Sequence, residues 1–131
     1  MIRALFTACL LLSFAAVAAE PGSGWRGVAA QVSDAVTQAE RQAAGGDTSA
    51  GLDTLTDAYF GRFEESRMEI AVRQSISAQR AAEVEGMFGT LRKAMRAGDR
   101  AAVAGEAERL RRALTEDGAR LDADGVKPEA K

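Results

Sequence analysis

The chain has 131 residues, 17 of them Lys or Arg against 19 Asp or Glu, with one cysteine, two prolines and no histidine. The missing histidine excludes histidine-based catalytic triads, zinc sites of the usual nitrogen and sulfur kind, and covalent c-type haem attachment. The charge balance offers no basic excess for nucleic acid and no cationic helix for a membrane surface, and any bound metal must be held by oxygen or, at most, thioether.

The chain begins MIRALFTACLLLSFAAVAAE, an apolar run from Ala4 to Ala19 preceded by one arginine and ending in small residues. This reads as a secretory signal peptide over residues 1–19, cleaved after Ala18 or Ala19, which places the mature chain in the periplasm. The alternative, an uncleaved anchor, is disfavoured because the run is shorter than the roughly 20 residues of a spanning helix and no basic cluster follows it. Cys9 leaves with the leader, so the mature chain has neither a disulfide nor a thiol ligand. Arg3 leaves too, which turns 17 basic and 19 acidic residues into 16 and 19, a net charge of −3. The remainder is long enough for one domain over residues 20–124 that hides somewhat over 60% of its unfolded surface, followed by a flexible tail over 125–131.

Gly22-Ser23-Gly24-Trp25-Arg26-Gly27 satisfies the dinucleotide pattern G-x-G-x-x-G, but that fingerprint needs a strand before it and a strand-helix unit around it. A leader precedes it and helical patterns follow, so no nucleotide is expected, and Trp25 reads as opening or stapling the first helix. Val28, Val32, Val36 and Ala39, flanked by Ala29, Ala35 and Ala43, then mark one helical face ending near Ala44. Gly45 and Gly46 suit a left-handed cap, and Asp47, Thr48 or Ser49 an N-cap. A second stripe runs Leu52, Leu55, Tyr59, Phe63. A third runs Val84, Met87, Phe88, Leu91, Met95, closed by Gly98 and followed by Asp99 as a cap. The last carries Val103, Ala107, Leu110, Leu114 and Leu121, with Glu108/Arg112 and Glu116/Arg120 on its solvated face, and after Asp124 the polar tail reads as frayed.

No run alternates with period two for long enough to make a strand, and the prolines at 21 and 128 leave everything between them free to be helical. The joins Gly46-Asp47 and Gly98-Asp99 imply two helical hairpins, hence an all-α, up-and-down bundle of about four helices. Residues 61–77 form the passage between hairpins. There the stripe loses phase at Ser66 and Arg67 and resumes at Met68, Ile70 and Val72: either the helix kinks, or Gly61 ends it and a short helix begins.

The stretch Asp57 to Arg73, DAYFGRFEESRMEIAVR, crowds aromatics, carboxylates and arginines together. Read as α-helix, Asp57 and Glu64 lie about two turns apart on one face, and Glu65 and Glu69 are neighbours at a four-residue spacing. One reading is a hard-cation site of Glu64, Glu65 and Glu69, completed by Asp57, Tyr59 or Glu83, whose oxygen ligation suits iron(III), calcium or manganese. The other is neutralisation by Arg62, Arg67 and Arg73, since Arg62 lies three before Glu65 and Arg73 four after Glu69. The Tyr59 hydroxyl, if buried, needs a partner such as Asp57 or a glutamate. Met68, Met87 and Met95 read as core fillers rather than copper ligands.

At these residues the sequence resembles the N-terminal extracytoplasmic domain that precedes the membrane core in bacterial Ftr-type high-affinity iron permeases. The resemblance rests on D-A-Y-F at Asp57 to Phe60, F-E-x-S at Phe63 to Ser66, M-E at Met68-Glu69, V-R at Val72-Arg73, I-S-A at Ile76 to Ala78, and E-x-x-F at Glu85 and Phe88. It covers about half of the mature chain. The family has glycine where this chain has Arg67, which bears on the backbone there because arginine resists a positive φ. The membrane core with its Arg-Glu-x-x-Glu iron motif is absent. The resemblance therefore implies a periplasmic accessory domain of iron uptake, binding iron through carboxylates and working beside a membrane permease or its partner subunits.

No nucleophile-base pair suggests an enzyme. The alternative function is a metal-free periplasmic interaction module whose groove or homodimer face binds another protein.

Overall fold

The computed structural model describes residues 22–129, so the signal peptide expected over residues 1–19 and its cleavage site lie outside the described residues. Among the described residues the chain is helical and holds no strand. The α-helices are α1 (Gly24–Ala44), α2 (Thr48–Thr56), α3 (Met68–Ser75), α4 (Ala78–Ala97) and α5 (Arg100–Ala123), and a π-helical segment, Asp57–Glu64, continues α2. The described residues thus hold five α-helices rather than about four, because the passage between the expected hairpins contains a helix of its own, α3.

The helix ends follow local chemistry. Helix α1 stops at Ala44 as its spacing predicts. Gly46, at φ 94°, turns the chain left-handed, while Gly45 stays right-handed at φ −76°. The Gly46 N–H donates to the Ala43 carbonyl at 3.1 Å and the Asp47 N–H to that of Gln42 at 3.0 Å, which satisfies the last carbonyls of α1. The Asp47 carboxylate then caps α2 by accepting from the Ala50 amide, and Asp99 caps α5 by accepting from that of Ala102.

Helix α1 packs on α5 and α2, α4 packs on α5, and α3 lies against α4. Val32, Val36, Leu55, Phe63, Val84, Phe88, Leu91, Leu110, Leu114 and Leu121 fill the core, each contributing about 1.5–3 kcal/mol by leaving water. Met68 and Met95 are fully buried and Met87 partly so, all three packed as core. On the surface of α5, Glu108 meets Arg112 at 3.7 Å, but Arg120 pairs with Asp124 and Glu116 reaches Arg80 instead of Arg120.

Two polar features tie distant parts together. Asp122 on α5 accepts from the Trp25 and Arg26 amides at 2.8 and 3.0 Å, so the last helix caps the first. Those amides are the ones a dinucleotide phosphate would need, so the glycine pattern at residues 22–27 serves helix initiation and Trp25 is buried beneath it. Asp117, 4% exposed, receives the Arg80 Nε–H at 2.9 Å and joins α4 to α5. Burial pushes the Asp117 carboxyl up, with Arg80 opposing. Beyond Asp124, Val126 packs on the core and Glu129 pairs with Arg67.

Candidate functional site

The irregularity read at residues 61–77 begins earlier, where α2 passes into the π-helical winding at Asp57. Each turn there takes one more residue than in an α-helix, so side chains meet at a spacing of five. Arg62 Nε donates to Asp57 Oδ2 at 3.2 Å, not to Glu65, and Glu64, five residues beyond Tyr59, lines a cleft with it and acts on its phenol. Gly61 does not end the helix. It makes room for Asp57, whose Oδ1 would stand 2.5 Å from a Cβ at that position.

The break comes at Arg67, which holds φ 65°, ψ 19° and is the only described non-glycine with positive φ. Its N–H donates to the Glu64 carbonyl at 2.8 Å. Ser66 bridges the turn: its hydroxyl donates to the Phe63 carbonyl at 3.2 Å and accepts from the Met68 amide at 3.3 Å. Helix α3 then starts at Met68 and carries Glu69 and Arg73.

Tyr59 is half-buried, edge-on to Phe60 and Phe88 with ring centroids 4.8 and 5.1 Å away, and 6.0 Å from Phe63. Burial raises its phenol pKa, and the charges of Glu85, Glu64 and Glu69 raise it further. Those carboxylates come from α4, the π-helical segment and α3. Arg73 Nη2 donates to Glu69 Oε1 at 2.8 Å, and that bond raises the guanidinium pKa. A cleft of about 450 Å³, lined by Tyr59, Phe60, Glu64, Glu85, Phe88 and Arg92, opens beside the phenol.

Of the six candidate ligands, Tyr59 and Glu64 share one cleft, and Glu69 acts on the phenol through its charge. Asp57 is held by Arg62 and lines a separate cleft with Gly61, Ser66 and Glu129. Glu83 accepts from Gln79 at 2.9 Å, lies 3.6 Å from Arg80 and faces a third cleft with Asp117. Glu65 sits exposed on the turn and is not among the charges acting on Tyr59. Of the three arginines read as neutralising the cluster, Arg73 alone reaches it, since Arg62 takes Asp57 and Arg67 takes Glu129. Glu85 takes the place expected of Glu65. Its one sequence signal is the single-turn spacing to Phe88, which puts it beside the ring that Tyr59 touches.

Phenol and carboxylates make an oxygen-only donor set of the kind hard cations take. Among the described residues no group of three acids stands close enough to hold a metal ion as placed, so cation binding requires the glutamates to rotate inward and Glu69 to leave Arg73. No helix among the described residues is long and apolar enough to cross a membrane. Comparison with protein-family models, with curated proteins and with solved structures returns no match to this chain.

Proposed function

We propose that the chain is an exported accessory domain of an iron-uptake system that captures a hard cation, iron(III) in this reading, on the surface around Tyr59 and presents it to a membrane permease. The observation that supports the reading is the cleft in which Glu64 and Glu85 flank Tyr59, with the charge of Glu69 also acting on the phenol while Glu69 pairs with Arg73. Like charges held this close repel, and a cation relieves that repulsion. The left-handed backbone at Arg67 supports the family resemblance, since the permease domains have glycine at that place. In this reading α1 and α2, and α4 and α5, form antiparallel hairpins of an up-and-down bundle, supported by the short turns at Gly46 and Gly98.

Titration calorimetry and thermal melting with iron(III) in a weakly chelating buffer test the proposal. Wild type should bind saturably and gain several degrees in Tm by mass action, with zinc giving less. Glu64→Gln and Glu85→Gln should abolish the gain and leave the metal-free protein as stable as before or slightly more so. A second reading, a metal-free interaction module, is favoured by Phe60, which is 55% exposed at the rim of the same cleft, and by the arginine pairing of Asp57 and Glu69. Absence of saturable binding of any hard cation would leave that reading standing.

A further inference from the structure

We propose that the outward side of α4, with Phe60 beside it, is the interface of a twofold homodimer in which α4 packs antiparallel against α4 of a second copy. Helix α4 meets α2, α3 and α5, and Ala82, Glu85, Gly86, Gly89, Lys93 and Arg96 on its other side are exposed. Phe60 is 55% exposed, more than any other large hydrophobic among the described residues, and it lines one cleft with Glu85, Gly89 and Arg92. No atom lies within 4 Å of a Cβ placed at Gly86 or Gly89, so a second backbone can come close there. The interface names the partner in the interaction-module reading, on which it rests, and needs no cation.

The order of charges along α4 selects a second copy as the occupant. Glu85, Gly89, Arg92 and Arg96 recur at four-, three- and four-residue spacing, so they lie on one helical stripe, with the acid before Gly89 and both bases after it. The positions three and four away from Glu85 hold Ala81, Ala82, Phe88 and Gly89, so the helix itself offers it no opposite charge. Glu85, Arg92 and Arg96 accordingly make no ion pair among the described residues. A twofold axis at Gly89 runs two such stripes in opposite directions. Glu85, about 6 Å from the axis along one helix, then falls between Arg92 and Arg96 of the other copy, about 4.5 and 10.5 Å from it. Symmetry makes the same contact twice, whereas a parallel pairing would set like charges opposite each other. Glu64, in the same cleft, adds a second acid, so each copy brings two acids and two bases to the contact. Phe60, beside Gly89, supplies the aromatic anchor such interfaces favour.

Sedimentation equilibrium of the metal-free protein, from micromolar to millimolar concentration, tests the proposal. Wild type should pass from monomer to dimer, and added salt should weaken the dimer. Glu85→Lys, and separately Arg92→Glu with Arg96→Glu, should each raise the dimer Kd at least about tenfold by setting like charges opposite. An equimolar mixture of those two proteins should associate as wild type does, because each copy then faces opposite charges. Phe60→Ser should weaken the wild-type dimer, and circular dichroism checks that every variant keeps the fold. A monomer across the whole range would overturn the dimer and leave the face to a different protein, while cation binding is decided separately by calorimetry. A dimer that the charge reversals leave unchanged, or a mixture that stays monomeric, would overturn it equally.

Discussion

Two turns in this molecule have nearly the same backbone and opposite chemistry. Gly98 ends α4 at φ 66°, ψ 20°, and Arg67 separates the π-helical segment from α3 at φ 65°, ψ 19°. In both, the left-handed residue donates its N–H to the carbonyl three residues back, Met95 or Glu64. At Gly98 the next amide, Asp99, closes onto Ala94 and the Asp99 side chain caps the following helix. At Arg67 the next amide, Met68, is taken by the Ser66 hydroxyl, and the Arg67 side chain does not cap α3. Glycine adopts this conformation freely, whereas arginine bears about 1–2 kcal/mol for it. The first turn is relaxed. The second holds strain, and it lies between the π-helical segment and α3, two of the three segments that gather carboxylates around Tyr59. Strain concentrated beside a candidate site fits the general tendency for local rules to be broken where function is.

The largest expected effect tests whether the irregular region is as integral to the fold as the regular one. Leu110 belongs to the regular stripe of α5, and Phe88 meets Tyr59 edge-on and Phe63 at a tilt, with centroids 5.1 and 5.6 Å away. Both are buried, so Leu110→Asp and Phe88→Asp each force a charge into the core and should unfold a domain whose reserve is about 5–15 kcal/mol. Far-ultraviolet circular dichroism reads the outcome. A folded Phe88→Asp protein beside an unfolded Leu110→Asp one would show that the Tyr59 region is an appendage.

An intermediate effect comes from exchanging the two turns. Arg67→Gly should stabilise by about 0.5–1 kcal/mol, the relief of backbone strain less the added entropy of glycine, while Gly98→Ala should destabilise by about 1 kcal/mol. Urea unfolding midpoints at constant slope give both numbers. Glu129→Gln separates the exposed Arg67–Glu129 pair, worth at most about 1 kcal/mol, from the backbone term. The same sign for both substitutions would break the comparison.

The contrast between the turns also explains what the sequence could reveal. Gly46 and Gly98 announce their turns because glycine followed by aspartate is a local signal, and the ends of α1 and α4 were legible from it. Arg67 announces nothing, since its conformation is imposed by the packing on either side. The Asp57–Arg62 pair was not legible because α-helical spacing brings i+3 and i+4 together, whereas π-helical winding joins i+5. The contribution of Glu85, the Asp122 cap on α1 and the Arg80–Asp117 pair are contacts between segments distant in sequence, which no periodicity encodes. The core stripes were legible because they depend only on the helical repeat.

The smallest effect concerns Gly61. Gly61→Ala places a Cβ against Asp57 Oδ1, and that carboxylate is the movable end of an exposed side chain. The gain in helix propensity should offset the loss of the surface Asp57–Arg62 pair, leaving stability within about 0.5 kcal/mol of wild type. A loss above about 1 kcal/mol in urea unfolding would mean that the π-helical winding depends on that pair.

The central structural claim is that Glu64, Glu69 and Glu85 converge on Tyr59, and the chain contains a single tyrosine, so absorbance titration at the phenolate band tests it on one residue. With its folded pKa above the ordinary 10.0, the phenol should keep its proton well past pH 10 in the native protein. Above pH 10 the unfolded chain then loses a proton that the native state retains, so stability should fall as pH rises through that range. Glu64→Gln and Glu85→Gln should each move the titration toward 10. Because burial alone also raises the phenol pKa, a titration that neither variant moves would contradict the convergence.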